Sequence, residues 1–229
     1  NYATEEIVLS LVGDVSFKNF THSAEKYFGG IPQKSRIRKR IKPIPVSAQK
    51  VSEKRNAFQK HVMLVGQAYA LGDPKRLQLY LLNNILGGPG MNSRLNMALR
   101  ERRGYSYSAE SHYAPYTDTG VFMIYFSCDN DKFSKSMQVS REEIRKLRST
   151  LITDKRLIHA RKQLLGQLAI SYENNEHLML TSAKRYLVFN QVDNLEAIGK
   201  KLELISSGML RDTANEIMNF EQLNTLIFE

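Results

Sequence analysis

The sequence has a single cysteine, no two histidines three or four residues apart, and no apolar run near the roughly 20 residues that cross a bilayer. The lone Cys128 excludes an internal disulfide, and because it follows the apolar run Val121–Phe126 it reads as a packed thiol rather than a nucleophile. The histidines, His22, His61, His112, His159 and His177, put no paired ligand set on a helix face, whereas a hydrolytic zinc site needs about three protein ligands. Glu173-Asn174-Asn175-Glu176-His177 holds the carboxylate and second histidine of an inverted zinc motif, H-x-x-E-H. Glutamate stands at its first ligand position, however, and the two asparagines make it a polar helix junction. No G-x-S-x-G elbow is present, and Gly87-Gly88-Pro89-Gly90 lacks the G-K-[ST] ending of a phosphate cradle. Taken by itself, the chain contains no catalytic constellation and no metal ligand set. Nor is there a leader of basic, apolar and small residues. The chain opens on Asn1 without a methionine and runs at once into Ile7–Val12, so the expectation is a piece of something longer.

What is present is an ordinary globular composition: 229 residues, 42% hydrophobic and 24% charged, enough to bury a full core. Lys and Arg number 33 against 23 Asp and Glu, a net charge of +10 that invites a nucleic-acid reading. The distribution argues against it. The densest cluster, Lys34, Arg36, Arg38, Lys39, Arg40 and Lys42, lies between Pro32 and Pro43 in a stretch that reads as a linker. Elsewhere bases alternate with acids, as in Arg141-Glu142-Glu143-Ile144-Arg145-Lys146, the pattern of a solvated helix face. Neither a membrane nor a nucleic acid is an expected partner.

Along the chain, Ile7–Val12 reads as a buried strand, and Ser16 as the cap of a helix over Phe17–Phe28 that Gly29-Gly30 ends. Proline and basic residues from Ile31 to Ala48 mark a boundary. Residues 1–48 are one region, and residues 49–229 a domain of their own. In that domain strands are expected at Lys50–Arg55 and His61–Ala70, then a helix from Asp73-Pro74 to Leu86, and a second helix from Asn92 or Ser93 to Arg102. Strands over Tyr105–Ala114 and Gly120–Ser127 follow, then helices from Lys132 to Asn219 and a closing strand, Leu223–Phe228. Hairpin-joined strands with helices gathered between them predict an α+β fold with a mostly antiparallel sheet. Val121–Phe126 is apolar on both strand faces, which predicts a sheet covered twice.

The stretch Ile85-Leu86-Gly87-Gly88-Pro89-Gly90-Met91-Asn92-Ser93-Arg94-Leu95, continuing through Leu99-Arg100-Glu101 to Gly104-Tyr105-Ser106-Tyr107, fixes residue type at many positions over two helix ends and a strand start. It resembles the signature of the second, non-zinc-binding half of the pitrilysin, insulinase and mitochondrial processing peptidase family. Val12-Gly13-Asp14-Val15 and Lys26-Tyr27-Phe28-Gly29-Gly30-Ile31-Pro32 likewise resemble the last strand and helix of that family's first domain. The resemblance implies one half of a two-domain clamshell metalloprotease, with ferredoxin-like split β-α-β character. It further implies a peptide substrate and a zinc ion held in the other half, whether upstream in the same polypeptide or in a partner subunit. This chain would bind no cofactor and cleave nothing alone.

In that family an arginine and a tyrosine seven residues apart hold the peptide, and Arg100 and Tyr107 have that spacing. The resemblance thus gives Arg100 a substrate-binding role and Tyr107 the role of hydroxyl donor to the scissile carbonyl. Plainer readings stand beside it. Arg100 in a last helical turn suits the negative end of the helix dipole, and Tyr107 suits a half-buried strand position. Tyr105, two residues before Tyr107 and on the same face of a strand, is the rival for the hydroxyl role. A non-catalytic scaffold or peptide-presenting subunit of the same family is the alternative to an enzyme half.

Overall fold

Alternation along two central strands decides which face of the sheet is covered. In the computed structural model, which describes residues 3–35, 41, 43–44, 47–55 and 57–229, strands β1 (Lys50–Glu53), β2 (Lys60–Ala68), β3 (Ala109–Pro115), β4 (Gly120–Cys128) and β5 (Asn224–Phe228) form one sheet. Its order is β1-β5-β2-β4-β3, antiparallel except for the β1–β5 pair. Val62 stands opposite Phe126 and Ile227, and Leu64 opposite Ile124. Val62, Leu64, Phe122, Ile124 and Phe126 are wholly buried. Their sequence neighbours Met63, Val65, Met123 and Tyr125 point the other way and are half-buried. Among the described residues, then, the face of Phe122, Ile124 and Phe126 is fully covered and the opposite face only in part.

The helices among the described residues are α1 (Phe17–Phe28), α2 (Arg76–Gly87), α3 (Phe133–Ser149), α4 (Asp154–Tyr172), α5 (Asn175–Phe189), α6 (Leu195–Glu203) and α7 (Ser207–Ile217). Asp73 starts α2 by accepting the Lys75 N–H at 2.7 Å. Leu79, Leu82 and Leu86 then bury one stripe of the helix, which packs on β3 and α7. Its end comes so near β3 that a β-carbon at Gly87 would stand 2.4 Å from the Ser111 backbone nitrogen. Only glycine permits that approach, so the Gly-Gly pair serves the helix-to-strand contact more than the turn it precedes. Gln163 of α4 ties down the following loop: its Oε1 accepts from Asn92 Nδ2 at 2.8 Å.

The described residues divide into two compact units. The larger, Lys42–Leu164 with Lys200–Glu229, contains the whole sheet; the smaller is Asn1–Ile41 with Leu165–Gly199. In the smaller unit Ser16 caps α1, its hydroxyl accepting from Asn19 N–H at 3.3 Å. The buried strand expected at Ile7–Val12 does not form. The run has no ladder partner among the described residues, and Ile7, Leu9 and Leu11 are 40–47% exposed. An apolar run makes a strand only where neighbours pair its backbone. Asn174 caps α5 by accepting from the His177 N–H at 2.9 Å, which is the junction role read from Glu173–His177. Most of the basic cluster, Arg36, Arg38, Lys39, Arg40 and Lys42, lies outside the described residues.

Candidate functional site

The segment from Ser93 to Ser108 carries the predicted pair. Ser93 opens a helical turn, its carbonyl accepting the Met97 N–H at 2.9 Å. Leu95, Ala98 and Leu99 are buried, and this inward stripe turns Arg100 outward. The turn over Asn96–Glu101 is wide: the Arg102 N–H reaches back five residues to the Met97 carbonyl at 3.1 Å. Widened turns of this kind are frequent at functional sites. The end closes with nested bonds, Gly104 N–H to Arg100 O at 2.9 Å and Tyr105 N–H to Leu99 O at 2.8 Å. Gly104 makes this possible with φ at +58°, a conformation other residues adopt only with strain. The Arg100 side chain is about half exposed at 48%, and its Nε lies 3.6 Å from Glu101 Oε1. An exposed pair of that kind contributes little and holds the guanidinium loosely.

Tyr107 is 81% exposed. Its position follows from its neighbours. Ser106 is buried and its hydroxyl donates to the Ser108 carbonyl at 2.6 Å. The same carbonyl accepts the Ser127 N–H at 3.2 Å, continuing the β4 ladder one step past the start of β3. The chain is thus fixed on both sides of Tyr107 while the phenol stands in solvent. Residues 105–108 are not strand, so the expected shared face of Tyr105 and Tyr107 is corrected: Tyr105 is half-buried and Tyr107 is not. The physical reason is the Ser106 hydroxyl, which bonds locally to the backbone and bends the chain away from the ladder. Spacing alone had no means of seeing this.

Among the described residues no group of three or more His, Cys, Asp and Glu side chains converges to hold a metal. The described side chains thus present no converging ligand set of the kind a zinc ion needs. Cys128 is wholly buried, and that burial raises its thiol pKa above the usual cysteine value. A groove of ≈ 730 Å³ lies at the opposite end of the sheet from Tyr107, against Val65, Gly66, Tyr69, Gly120, Ile217 and Leu223. At its margin Glu216 accepts from Tyr69 Oη at 2.5 Å and from Lys75 Nζ at 2.6 Å. Lys75, then Tyr69, holds the Glu216 carboxyl below the usual carboxylate range. This trio ties α7 to the end of β2 and to the start of α2. Sequence reading singled out none of its members, because their only signal is spatial.

The family described as the peptidase M16 inactive domain matches residues 1–164. An uncharacterized zinc protease of Bacillus subtilis, YmxG, is 27% identical over 226 residues, covering 99% of this chain and 54% of its own length. An uncharacterized zinc protease of Rickettsia bellii is 26% identical over 227 residues, with the same coverage of 99% and 54%. The crystal structure of an M16 inactive domain from Pseudomonas fluorescens superposes with a TM-score of 0.83 at 21% identity, covering 94% of this chain and 52% of that one. That likeness shows the fold. The chain spans about half the length of the curated relatives it matches.

Proposed function

The chain belongs to the M16 peptidase inactive-domain family, and from that premise we propose that it is the peptide-holding half of a zinc metallopeptidase. Arg100 binds the substrate and Tyr107 donates to the carbonyl under attack. Zinc would be held in the half of the relatives' length that this chain does not span. On this reading residues 1–48 are the last strand and helix of that zinc-binding-type domain together with a linker, and 49–229 are the second domain. The apolar side chains that Ile7, Leu9 and Leu11 leave at the surface support the assignment, since a completed sheet would bury them.

The observation that supports the site is the exposure of Tyr107 on a chain pinned at Ser106 and Ser108. A core aromatic would be buried, and a solvated loop tip would have no such anchors. An extended peptide presents backbone carbonyls, and a guanidinium offers a fork of donors to them without any need to change protonation state. The phenol hydroxyl donates to the carbonyl oxygen as negative charge gathers there, an interaction stronger in the transition state than in the ground state. With Arg100 fixing the peptide and Tyr107 meeting the developing charge, the two residues divide binding from rate.

With the zinc-bearing half present, Arg100→Ala is expected to raise KM about tenfold, roughly the worth of one charge-assisted hydrogen bond. Its melting temperature should stay within about 2 °C of wild type, because the side chain is surface-exposed and weakly paired. Steady-state kinetics on a quenched fluorescent peptide gives the comparison. Unchanged KM would remove Arg100 from the site. Absence of any turnover in wild type would favour the non-catalytic scaffold.

A further inference from the structure

One side chain that neither the resemblance nor the site above uses is Phe58, which is fully exposed at 101%. Its neighbours are tied down. Gln59 Nε2 donates to Asp129 Oδ1 at 3.1 Å, Lys60 enters β2 opposite Cys128, and Ala57 is half-buried. The Arg55 N–H bonds to the Glu229 carbonyl at 2.5 Å. Nearby in sequence, Arg55 pairs with Glu53 and Lys60 with Glu229. Phe58 is therefore an apolar side chain held outward beside anchored neighbours, with no contact among the described residues to explain the choice of residue.

Strand register places that turn beside the candidate site. Lys60 stands opposite Cys128 on one side of β4, and Ala109 stands opposite Phe126 on the other. The Phe58 turn and the Tyr107 loop thus flank the same end of β4, one before β2 and one before β3. Two strand spacings separate them, about 10 Å, and an extended peptide covers that in about three residues. We propose that Phe58 is a specificity residue of the peptide site: its ring packs on a large apolar substrate side chain about three residues from the bond that Tyr107 polarises. The inference rests on the reading of Arg100 and Tyr107 given above, and it adds the class of substrate, peptides with an apolar residue at that distance.

The test uses the protein with its zinc-bearing half and a set of quenched fluorescent peptides. In these a single phenylalanine is walked from one to five residues either side of the cleaved bond in an otherwise small, polar sequence. Phe58→Ala should raise KM about tenfold, with kcat unchanged, for the peptide whose phenylalanine lies about three residues away on one side, and leave the others alone. Phe58→Leu should restore most of the loss. Equal effects on every peptide, or none, would overturn the proposal. Tyr107→Phe run on the same peptides separates the two ideas. If it lowers kcat throughout while Phe58→Ala does not discriminate, only the present inference fails. If Tyr107→Phe is silent, the underlying reading fails. Should the protein cleave none of the peptides, fluorescence anisotropy with the same set reads binding, and the same selective tenfold loss is required.

Discussion

Replacing Tyr107 with phenylalanine, in the protein with its zinc-bearing half, is expected to lower kcat by about 10²–10³-fold, or roughly 2.7–4 kcal/mol of transition-state stabilisation. The substitution removes one oxygen and keeps the ring. That ring is 81% exposed and the anchors on either side are Ser106 and Ser108, so among the described residues the loop is held without the hydroxyl. Melting temperature and KM should both stay near wild type, the pattern of an interaction made only in the transition state. The same change at Tyr105, which is half-buried in a different setting, should leave kcat within about twofold of wild type, a margin under 0.5 kcal/mol. If Tyr105→Phe carried the loss and Tyr107→Phe did not, the hydroxyl role would pass to Tyr105.

The opposite pattern is expected at Phe126. Its side chain is wholly buried where three strands meet, opposite Val62 on β2 and Ala109 on β3. Truncation to alanine leaves a cavity that the sheet and the helices over it fill only in part, at a cost of about 3–5 kcal/mol. Urea unfolding should show a large fall in midpoint with little change in slope. Ala109 begins β3 directly after the Ser106–Ser108 anchor, so this variant also loosens the base from which Tyr107 projects. Its turnover should therefore fall with temperature sooner than that of wild type, whereas Tyr107→Phe lowers turnover equally at all temperatures below melting. The two variants separate a residue that builds the platform from one that acts on it.

Much of the fold was legible because each element carries a local signal. Alternation and apolar content marked β2 and β4. Asp73-Pro74 and Gly87 bracketed α2, Ser16 and Gly29 bracketed α1, and Asn174 marked the start of α5. Where the structure differs, the cause is either a partner far off in sequence or, at residues 105–108, a side-chain bond too local for spacing to show. Ile7–Val12 has the composition of a strand but no strand to pair with among the described residues. Val121–Phe126 is apolar on both faces, yet only the side of Phe122, Ile124 and Phe126 is fully buried.

The site was legible only in part. Spacing and resemblance picked out Arg100 and Tyr107, and the inward stripe of Leu95, Ala98 and Leu99 explains the outward direction of Arg100. The exposure of Tyr107 could not be read, since it depends on a hydroxyl bond two residues long within the loop. Phe58 was invisible for a plainer reason. Nothing in the sequence around it marks its direction, and it faces water only because its neighbours are anchored.

The measurement that bears most directly on the account is photo-crosslinking from position 107. A benzophenone amino acid in place of Tyr107, in the protein with its zinc-bearing half, is irradiated with a labelled substrate peptide. Tyr116, 54% exposed in the hairpin at the far end of β3 and β4, serves as the control position. Peptide should be captured covalently at position 107, with suppression by excess unlabelled peptide, and captured little at position 116. Equal capture at the two positions, or none at 107, would contradict it.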